Sequence, residues 1–373
     1  MGHLKIGKSE VFKALADRLN KNPVGAPVNE TLMRILRLMY SEKEAEIGSM
    51  FPVGFTTVDR LSALTGMETA ELTGYLNNMA DKGLVIDIPR KDRALYTLAP
   101  LVIGFFEYTF MRVTDKLPLR DLAELFEQYH HEEGVAEEFF GAATKMFQTW
   151  AYESLMPADV ETEVLSYEKA SAMIRDAGGG SLTMCYCRHQ ALHRGKACGA
   201  PVNDICTSLG AASEWLVRRG FARPASVDEL LRVLERTEQL GLMHLADNVQ
   251  RNPAYICHCC GCCCGVLRMI NEHGVHSVHP SNFIPRIDGA RCVGCGECVP
   301  RCHVHALKVV EGGPGNGRNG RAAVNADRCL GCGACVRGCP EEAITLERRG
   351  ITRVPPRDKR EQLRRIAREK GRL

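Results

Sequence analysis

The sequence predicts an α+β chain: a helical N-terminal half closed by two strands, a cysteine-rich helical middle, and a C-terminal module of two like units. Three observations carry this. All 18 cysteines lie between Cys185 and Cys339, so the N-terminal half has none. A 12-residue unit, RCVGCGECVPRC at 291–302, recurs as RCLGCGACVRGC at 328–339. Residues 28–83 read as successive amphipathic helices with capping and stop signals, followed by two strand-like stretches. The expected boundaries are 1–112 for the N-terminal unit, 113–180 for a helical connector, 181–284 for the cysteine-rich middle, 285–350 for the repeated module and 351–373 for a basic tail.

The N-terminus has neither an apolar h-region nor a cleavage pattern, and the most apolar stretch, YTLAPLVIGFFEYTF (96–110), is short and carries Glu107. No membrane span is expected, and a cytoplasmic chain is. In that compartment thiols stay reduced, so the cysteines are expected to bind metal rather than form disulfides.

In the N-terminal unit, NETLMRILRLMY is a helix capped by Asn29, and TTVDRLSALTG is a short helix stopped by Gly66. METAELTGYLNNMADKG is the next helix, ended by Gly83, and LVIDIPRKDRALYTLAP gives two strands about a charged turn. On this pattern residues 28–100 resemble the winged-helix domains of bacterial regulators, which makes METAELTGYLNNMADKG the counterpart of a recognition helix. A DNA-reading helix offers cations and amides to phosphates and base edges. This one sets Glu68, Glu71 and Asp81 against Lys82; Asn77 and Asn78 are its candidate base readers, and Arg90, Lys91 and Arg93 make the turn basic. The acidic helix favours a docking or packing module over DNA binding. Phe105, Phe106, Tyr108 and Phe110 read as core, a run of helices is expected to about residue 175, and His130 and His131 read as an exposed helix end. No dinucleotide fingerprint, phosphate loop or catalytic triad stands out, so no catalytic residue is assigned.

The middle holds ten cysteines. Cys185, Cys187, Cys198 and Cys206 are spaced C-x-C-x10-C-x7-C, one full tetrathiolate set for a cubane or for zinc. YICHCCGCCCG (255–265) holds Cys257, Cys259, Cys260, Cys262, Cys263 and Cys264; Cys257, Cys260 and Cys263 form a C-x2-C-x2-C triplet, with Cys259 and Cys262 interleaved. Adjacent cysteines point in different directions, so this run suits two centres, or one centre and the core. Three readings compete: one or two additional Fe–S clusters, a structural zinc at the C-x-C…C…C set, or unligated cysteines acting as small hydrophobes. Spacing does not assign ligand to centre. His189, His193 and His258 read as hydrogen-bond donors or surface residues rather than iron ligands. Two helices are expected between the groups: ICTSLGAASEWLVRRG from Cys206 to Gly220, with Trp215 and Leu216 inward, and one opened by a Ser226/Glu229 capping box, with Leu230, Leu231, Val233 and Leu234 inward. The set Cys185, Cys187, Arg188, His189, Cys198, Gly199, Pro201 and Cys206, with Cys257 to Gly265, resembles a group of iron–sulfur proteins of anaerobic bacteria in which this region precedes a two-cluster ferredoxin module. The resemblance covers about half the chain and implies electron transfer.

Each C-terminal unit contains C-x2-C-x2-C-x3-C. Three closely spaced thiolates can wrap three corners of a cubane, and the small glycines let the backbone fold tightly around it. Zinc sites usually use two separated C-x2-C pairs instead. The triplets favour iron–sulfur. The units resemble the bacterial two-cluster ferredoxins. That resemblance implies one [4Fe–4S] cluster on Cys292, Cys295, Cys298 and Cys339 and a second on Cys329, Cys332, Cys335 and Cys302, each run lending its last cysteine to the other cluster. Pro340 follows Cys339 as in that family, whereas Cys302 is followed by His303. ALKVV and AITLE are expected strands, and EGGPGNGRNG (311–320) a flexible loop. The formal charge of +3 falls to about −1 with two clusters of about −2 each, so net charge carries no argument for nucleic acid.

The tail, RVPPRDKREQLRRIAREKGRL, has nine Lys or Arg against three Asp or Glu. It reads as a solvated end, next as a basic helix docking on an acidic redox partner, and last as a nucleic-acid contact. The functional expectation is an electron-transfer protein, the donor or Fe–S subunit of an anaerobic oxidoreductase, whose partner is a redox protein or oxidoreductase complex. The alternatives are a redox-responsive winged-helix regulator and an enzyme with an unusual catalytic cluster at CCGCCC.

Overall fold

Buried apolar stripes and well-formed caps shape the N-terminal half in the computed structural model, which describes residues 8–157, 168–311 and 320–372. Helix Glu30–Met39 buries Leu32, Met33, Ile35, Leu36 and Met39, and Asn29 Oδ1 caps it by accepting from Leu32 N at 2.8 Å. Ser41 and Glu44 form a reciprocal capping box on Glu42–Ser49, which packs against Lys8–Asn20. Val58–Thr65 ends at Gly66 with φ 71°, and Thr69–Asp81 follows. Strands Val85–Pro89 and Ala94–Leu98 form a hairpin, and Thr56–Thr57 adds antiparallel to Ala94–Leu98.

The helical middle expected from the sequence is instead built on a seven-stranded sheet. Its spatial order is Val278–His279, Phe147–Trp150, Met243–Asp247, Tyr255–Cys259, Cys206–Leu209, Gly180–Thr183 and Arg223–Ala225. All neighbours are antiparallel except the first pair. The run of helices expected to about residue 175 is broken by Phe147–Trp150, and Cys206 opens a strand, with its helix confined to Gly210–Arg218. Phe147–Trp150, Cys206–Leu209 and Met243–Asp247 are buried at every position. Buried on both faces, such strands lack the apolar–polar alternation that would announce them. Helix Val227–Gln239 forms as expected, with Ser226 Oγ accepting from Glu229 N and Leu230 and Val233 buried.

His130 is buried, not exposed: its ring sits 4.6 Å from that of Phe106, and burial lowers its pKa to about 4. The C-terminal tail is folded onto the chain rather than solvated. Its helix Lys359–Glu369 buries Gln362, Ile366 and Ala367; Lys359 pairs with Asp247 at 2.7 Å, and Lys370 and Arg372 both pair with Glu138. Among the described residues no helix is long and apolar enough to cross a membrane.

The C-terminal repeat forms two antiparallel pairs in a crossed arrangement. Phe283–Ile287, before the first cysteine run, pairs with Ile344–Arg348, after the second. Leu307–Val310, after the first run, pairs with Arg321–Val324, before the second. ALKVV and AITLE thus contribute the expected strands. The expected loop at 311–320 falls largely outside the described residues, at 312–319.

Asp87 fastens the N-terminal half to helix Gly210–Arg218 and its C-cap Arg219. It accepts from Trp215 Nε1 (3.0 Å), Arg218 Nη1 (2.6 Å) and Arg219 Nε (2.9 Å). Burial alone would raise its carboxyl; the bonds from Arg219, Arg218 and Trp215 outweigh burial and hold it at about 2. Asp87 therefore stabilises the fold above the ordinary carboxylate range, and that contribution fades as pH falls from about 4 to about 2. Asp87→Asn should cost about 2–4 kcal/mol at pH 7, because it leaves Arg219 without its buried counter-charge. Urea unfolding followed by tryptophan fluorescence (Trp150 and Trp215) checks this: the gap between variant and wild type should narrow towards pH 2.

Candidate metal centres

The two C-terminal cysteine runs repeat their geometry as well as their sequence. Gly294 and Gly331, the glycines of the first C-x-G-C step in each run, both adopt φ 69°. Each lies against a neighbouring backbone: a Cβ at Gly294 would stand 2.4 Å from Gly320 O, and one at Gly331 2.1 Å from Phe283 O. Only glycine meets both demands. Cys292, Cys295, Cys298 and Cys339 line one cavity. In the second group Cys335 feels the charge of Cys332, Cys329 and Cys302, and also of Cys298 from the first, each adding to burial in raising its thiol. In both groups, three cysteines of one run therefore meet the last cysteine of the other.

Backbone N–H groups point at these sulfurs. Ala306 N donates to Cys302 Sγ at 3.1 Å, and at the equivalent step Ala343 N donates to Cys339 Sγ at 3.3 Å. Ala322 N donates to Cys292 Sγ at 3.4 Å. Such donors stabilise anionic sulfur. Burial, and then the neighbouring Cys329 and Cys302, push the Cys332 thiol up to about 12 against the opposing Ala334 N–H. A bound cation is what would favour the thiolate here. The donor set, its spacing and its N–H···S bonds fit an iron–sulfur centre.

His303, which replaces the usual proline after Cys302, acts as a bridge. Its Nδ1 accepts from Gly261 N at 3.2 Å, and its Nε2 donates to Gly241 O at 2.7 Å. Asn271 Nδ2 donates to His303 O at 3.0 Å. The repeat is thereby tied to the CCGCCC loop at the residue next to Cys302.

The ten middle cysteines divide into two groups that cut across their order in sequence. Cys198, Cys260, Cys262 and Cys263 bring their sulfurs within 4.8 Å of one another. The other six, Cys185, Cys187, Cys206, Cys257, Cys259 and Cys264, are all buried and line one small cavity together with Arg188 and Cys260. Strand geometry explains the split. Cys257 and Cys259 are two apart on Tyr255–Cys259 and share a face, while Cys260 follows in the turn. Cys185 and Cys264 occupy N-cap positions, of Tyr186–His193 and Gly265–His273. Helix N-termini favour thiolates. Of the sequence set Cys185, Cys187, Cys198 and Cys206, Cys198 lies with the CCGCCC loop while the other three line a common cavity.

Arg188 is fully buried and bonds Pro201 O at 3.0 Å and His258 O at 2.8 Å. Among the described residues no carboxylate pairs with it. Burial opposes its charge, and surrounding sulfurs, Cys185 first, more than offset that. His189 bonds Phe110 O through Nδ1 and meets His193 at 3.2 Å; His258 meets Thr237 at 3.0 Å.

An apolar cavity of about 400 Å³ reaches from Phe55, Ile86 and Trp215 to Cys206 and Cys257. Glu107 lies in its wall, accepting from Gly104 N at 2.7 Å, with Tyr186 beside it. In the sequence Glu107 counts only against a membrane span; the signal for its place at a cavity is a lone charge within an apolar run. The candidate base readers are engaged elsewhere: Asn77 accepts from Arg219 at 3.0 Å, and Asn78 donates to Glu44 at 2.7 Å.

A family model described as a 4Fe-4S dicluster domain matches residues 291–349. No curated protein and no solved structure matches the chain. The matched segment spans both cysteine runs and supports iron–sulfur clusters there.

Burial raises the Glu107 carboxyl to about 8 against the bonds from Gly104 and its own N–H. Folded Glu107 holds its proton more tightly than unfolded, so its contribution to stability is lost as pH rises towards about 8. Glu107→Gln keeps an acceptor for Gly104 N and removes the titration. Between pH 5 and 8 the variant should gain on wild type by up to about 1.4 kcal/mol per pH unit. Parallel urea titrations across that range check it.

Proposed function

We propose that this protein is an iron–sulfur electron carrier, the donor or Fe–S subunit of an oxidoreductase system in an anaerobic cytoplasm. The observation that carries this is the crossed pair of cysteine quartets within the dicluster match. In this reading Cys292, Cys295, Cys298 and Cys339 hold one [4Fe–4S] cluster, and Cys329, Cys332, Cys335 and Cys302 hold the other. Each cluster, when bound, accepts and releases one electron. The chain's own contribution is to exclude water from Cys298 and Cys335, to aim N–H groups at Cys292, Cys302 and Cys339, and to tie the second quartet to the middle through His303. The six buried thiols around Cys257 suit one further Fe–S centre, with Arg188 offsetting its charge. The C-terminal segment 285–350 is then a ferredoxin module.

The N-terminal unit serves as a winged-helix-like packing module. Its support is the bonding of Asn77 and Asp81 to Arg219, which engages the would-be recognition helix. The outward face of the C-terminal helix carries exposed Arg360, Arg364 and Arg368 at a spacing of one turn, a surface suited to an acidic redox partner.

A second reading, an enzyme acting at the six-thiol centre, is favoured by the apolar cavity that ends at Cys206 and Cys257. It predicts substrate-dependent EPR changes that vanish in Cys257→Ser.

The electron-carrier reading is tested by EPR on dithionite-reduced, anaerobically purified variants. Cys339→Ser should lose about four irons and leave the same residual spectrum as Cys292→Ser. Cys302→Ser should match Cys329→Ser. If Cys339→Ser instead matched Cys329→Ser, the crossed ligation would be wrong. A chain with no dithionite-reducible signal would sink the electron-transfer reading itself.

A further inference from the structure

Cys198, Cys260, Cys262 and Cys263 differ from every other thiol group in the chain by how tightly they gather. Their four sulfurs lie within 4.8 Å of one another, and no other set of three or more cysteines does so among the described residues. Cys198 Sγ stands 3.7 Å from Cys260 Sγ, and Cys262 Sγ 3.8 Å from Cys263 Sγ. Four thiolates bound at about 2.3 Å to a single tetrahedral ion are separated by about 3.8 Å, the edge of that tetrahedron. A cubane places an iron–sulfide core between its ligands and holds them much farther apart. No three of the C-terminal sulfurs lie within 4.8 Å of one another. The spacing therefore separates one ion from one cluster.

Local structure fits a closed, structural site. Cys260, Cys262 and Cys263 come from the turn between strand Tyr255–Cys259 and helix Gly265–His273, and Cys198 from the loop after helix Tyr186–His193. Cys260 and Cys263 are buried against Ala191 and Leu242, with Ala197 and Ala200 beside them, while Cys262 is exposed. No histidine or carboxylate belongs to the set. A donor set of four thiolates in tetrahedral spacing suits a single zinc ion, with a single iron as its competitor.

We propose that Cys198, Cys260, Cys262 and Cys263 form a mononuclear tetrathiolate zinc site. Four thiols release four protons as one Zn²⁺ binds, leaving a centre of net charge −2. The ion pins the CCGCCC loop to the loop that carries Cys198. It thereby fixes the direction in which Cys257, Cys259 and Cys264 face the six-thiol group. The site is independent of the C-terminal clusters.

The test is metal and sulfide analysis of anaerobically purified full-length protein expressed with both iron and zinc supplied, joined to zinc-edge X-ray absorption. Wild type should hold one zinc per chain, with a single shell of four sulfurs at about 2.3 Å and no neighbouring metal. Cys198→Ser and Cys262→Ser should each lose more than nine-tenths of the zinc while keeping the reduced EPR signals of the C-terminal clusters. Three results would overturn the assignment: wild type without zinc, a sulfide-free ferric ion in its place, or variants that lose iron and sulfide together. If a variant fails to fold, the wild-type absorption spectrum decides alone. Failure of the electron-carrier reading would appear separately, as absent cluster signals in wild type.

Discussion

The burial of anionic sulfur is the constraint on which the rest of this structure depends. Most of the cysteines lie in the interior, where an isolated charge is expensive and a thiol stays protonated unless a cation or several donors offset it. The chain meets that demand in several ways. Cys185 and Cys264 sit at helix N-caps, backbone N–H groups aim at Cys292, Cys302 and Cys339, and Arg188 is buried among thiols with no carboxylate partner among the described residues. These devices all favour negative sulfur. They suit metal-bound sulfur, in keeping with the dicluster match at residues 291–349.

The same demand organises the architecture. The central sheet delivers Cys206, Cys257 and Cys259 to one group, and the turn after it delivers Cys260, Cys262 and Cys263 to another. Two centres can therefore share one short stretch of chain. His303 extends the linkage by holding Gly261 N from the residue beside Cys302. The N-terminal half takes part through Asp87, whose bonds to Arg218, Arg219 and Trp215 seat it against helix Gly210–Arg218 and its C-cap. The cysteine-free half thus closes one side of the apolar cavity that leads to Cys206.

How much was legible in the sequence depended on whether a signal is local. Asn29, Ser226 and Gly66 marked their helix ends because caps are read within one turn. The two C-terminal cysteine runs were legible because a repeat exposes itself by comparison with its copy, whereas their crossed grouping was implied only by the resemblance to two-cluster ferredoxins. The seven-stranded sheet was not: Cys206–Leu209 and Met243–Asp247 are buried on both faces and show no alternation. The tail was misread because its charges dominate its composition, although Gln362, Ile366 and Ala367 form a narrow buried stripe. The sorting of the ten middle cysteines needed the strand at Tyr255–Cys259. With that strand known, a period of two already places Cys257 and Cys259 together.

Native mass spectrometry of anaerobically purified chain tests the central claim most directly, because it counts metal and sulfide on one molecule. The account predicts a dominant species carrying two Fe₄S₄ units, additional iron and sulfide for the six-thiol group, and one zinc. A dominant species that carries zinc ions and no sulfide would contradict it.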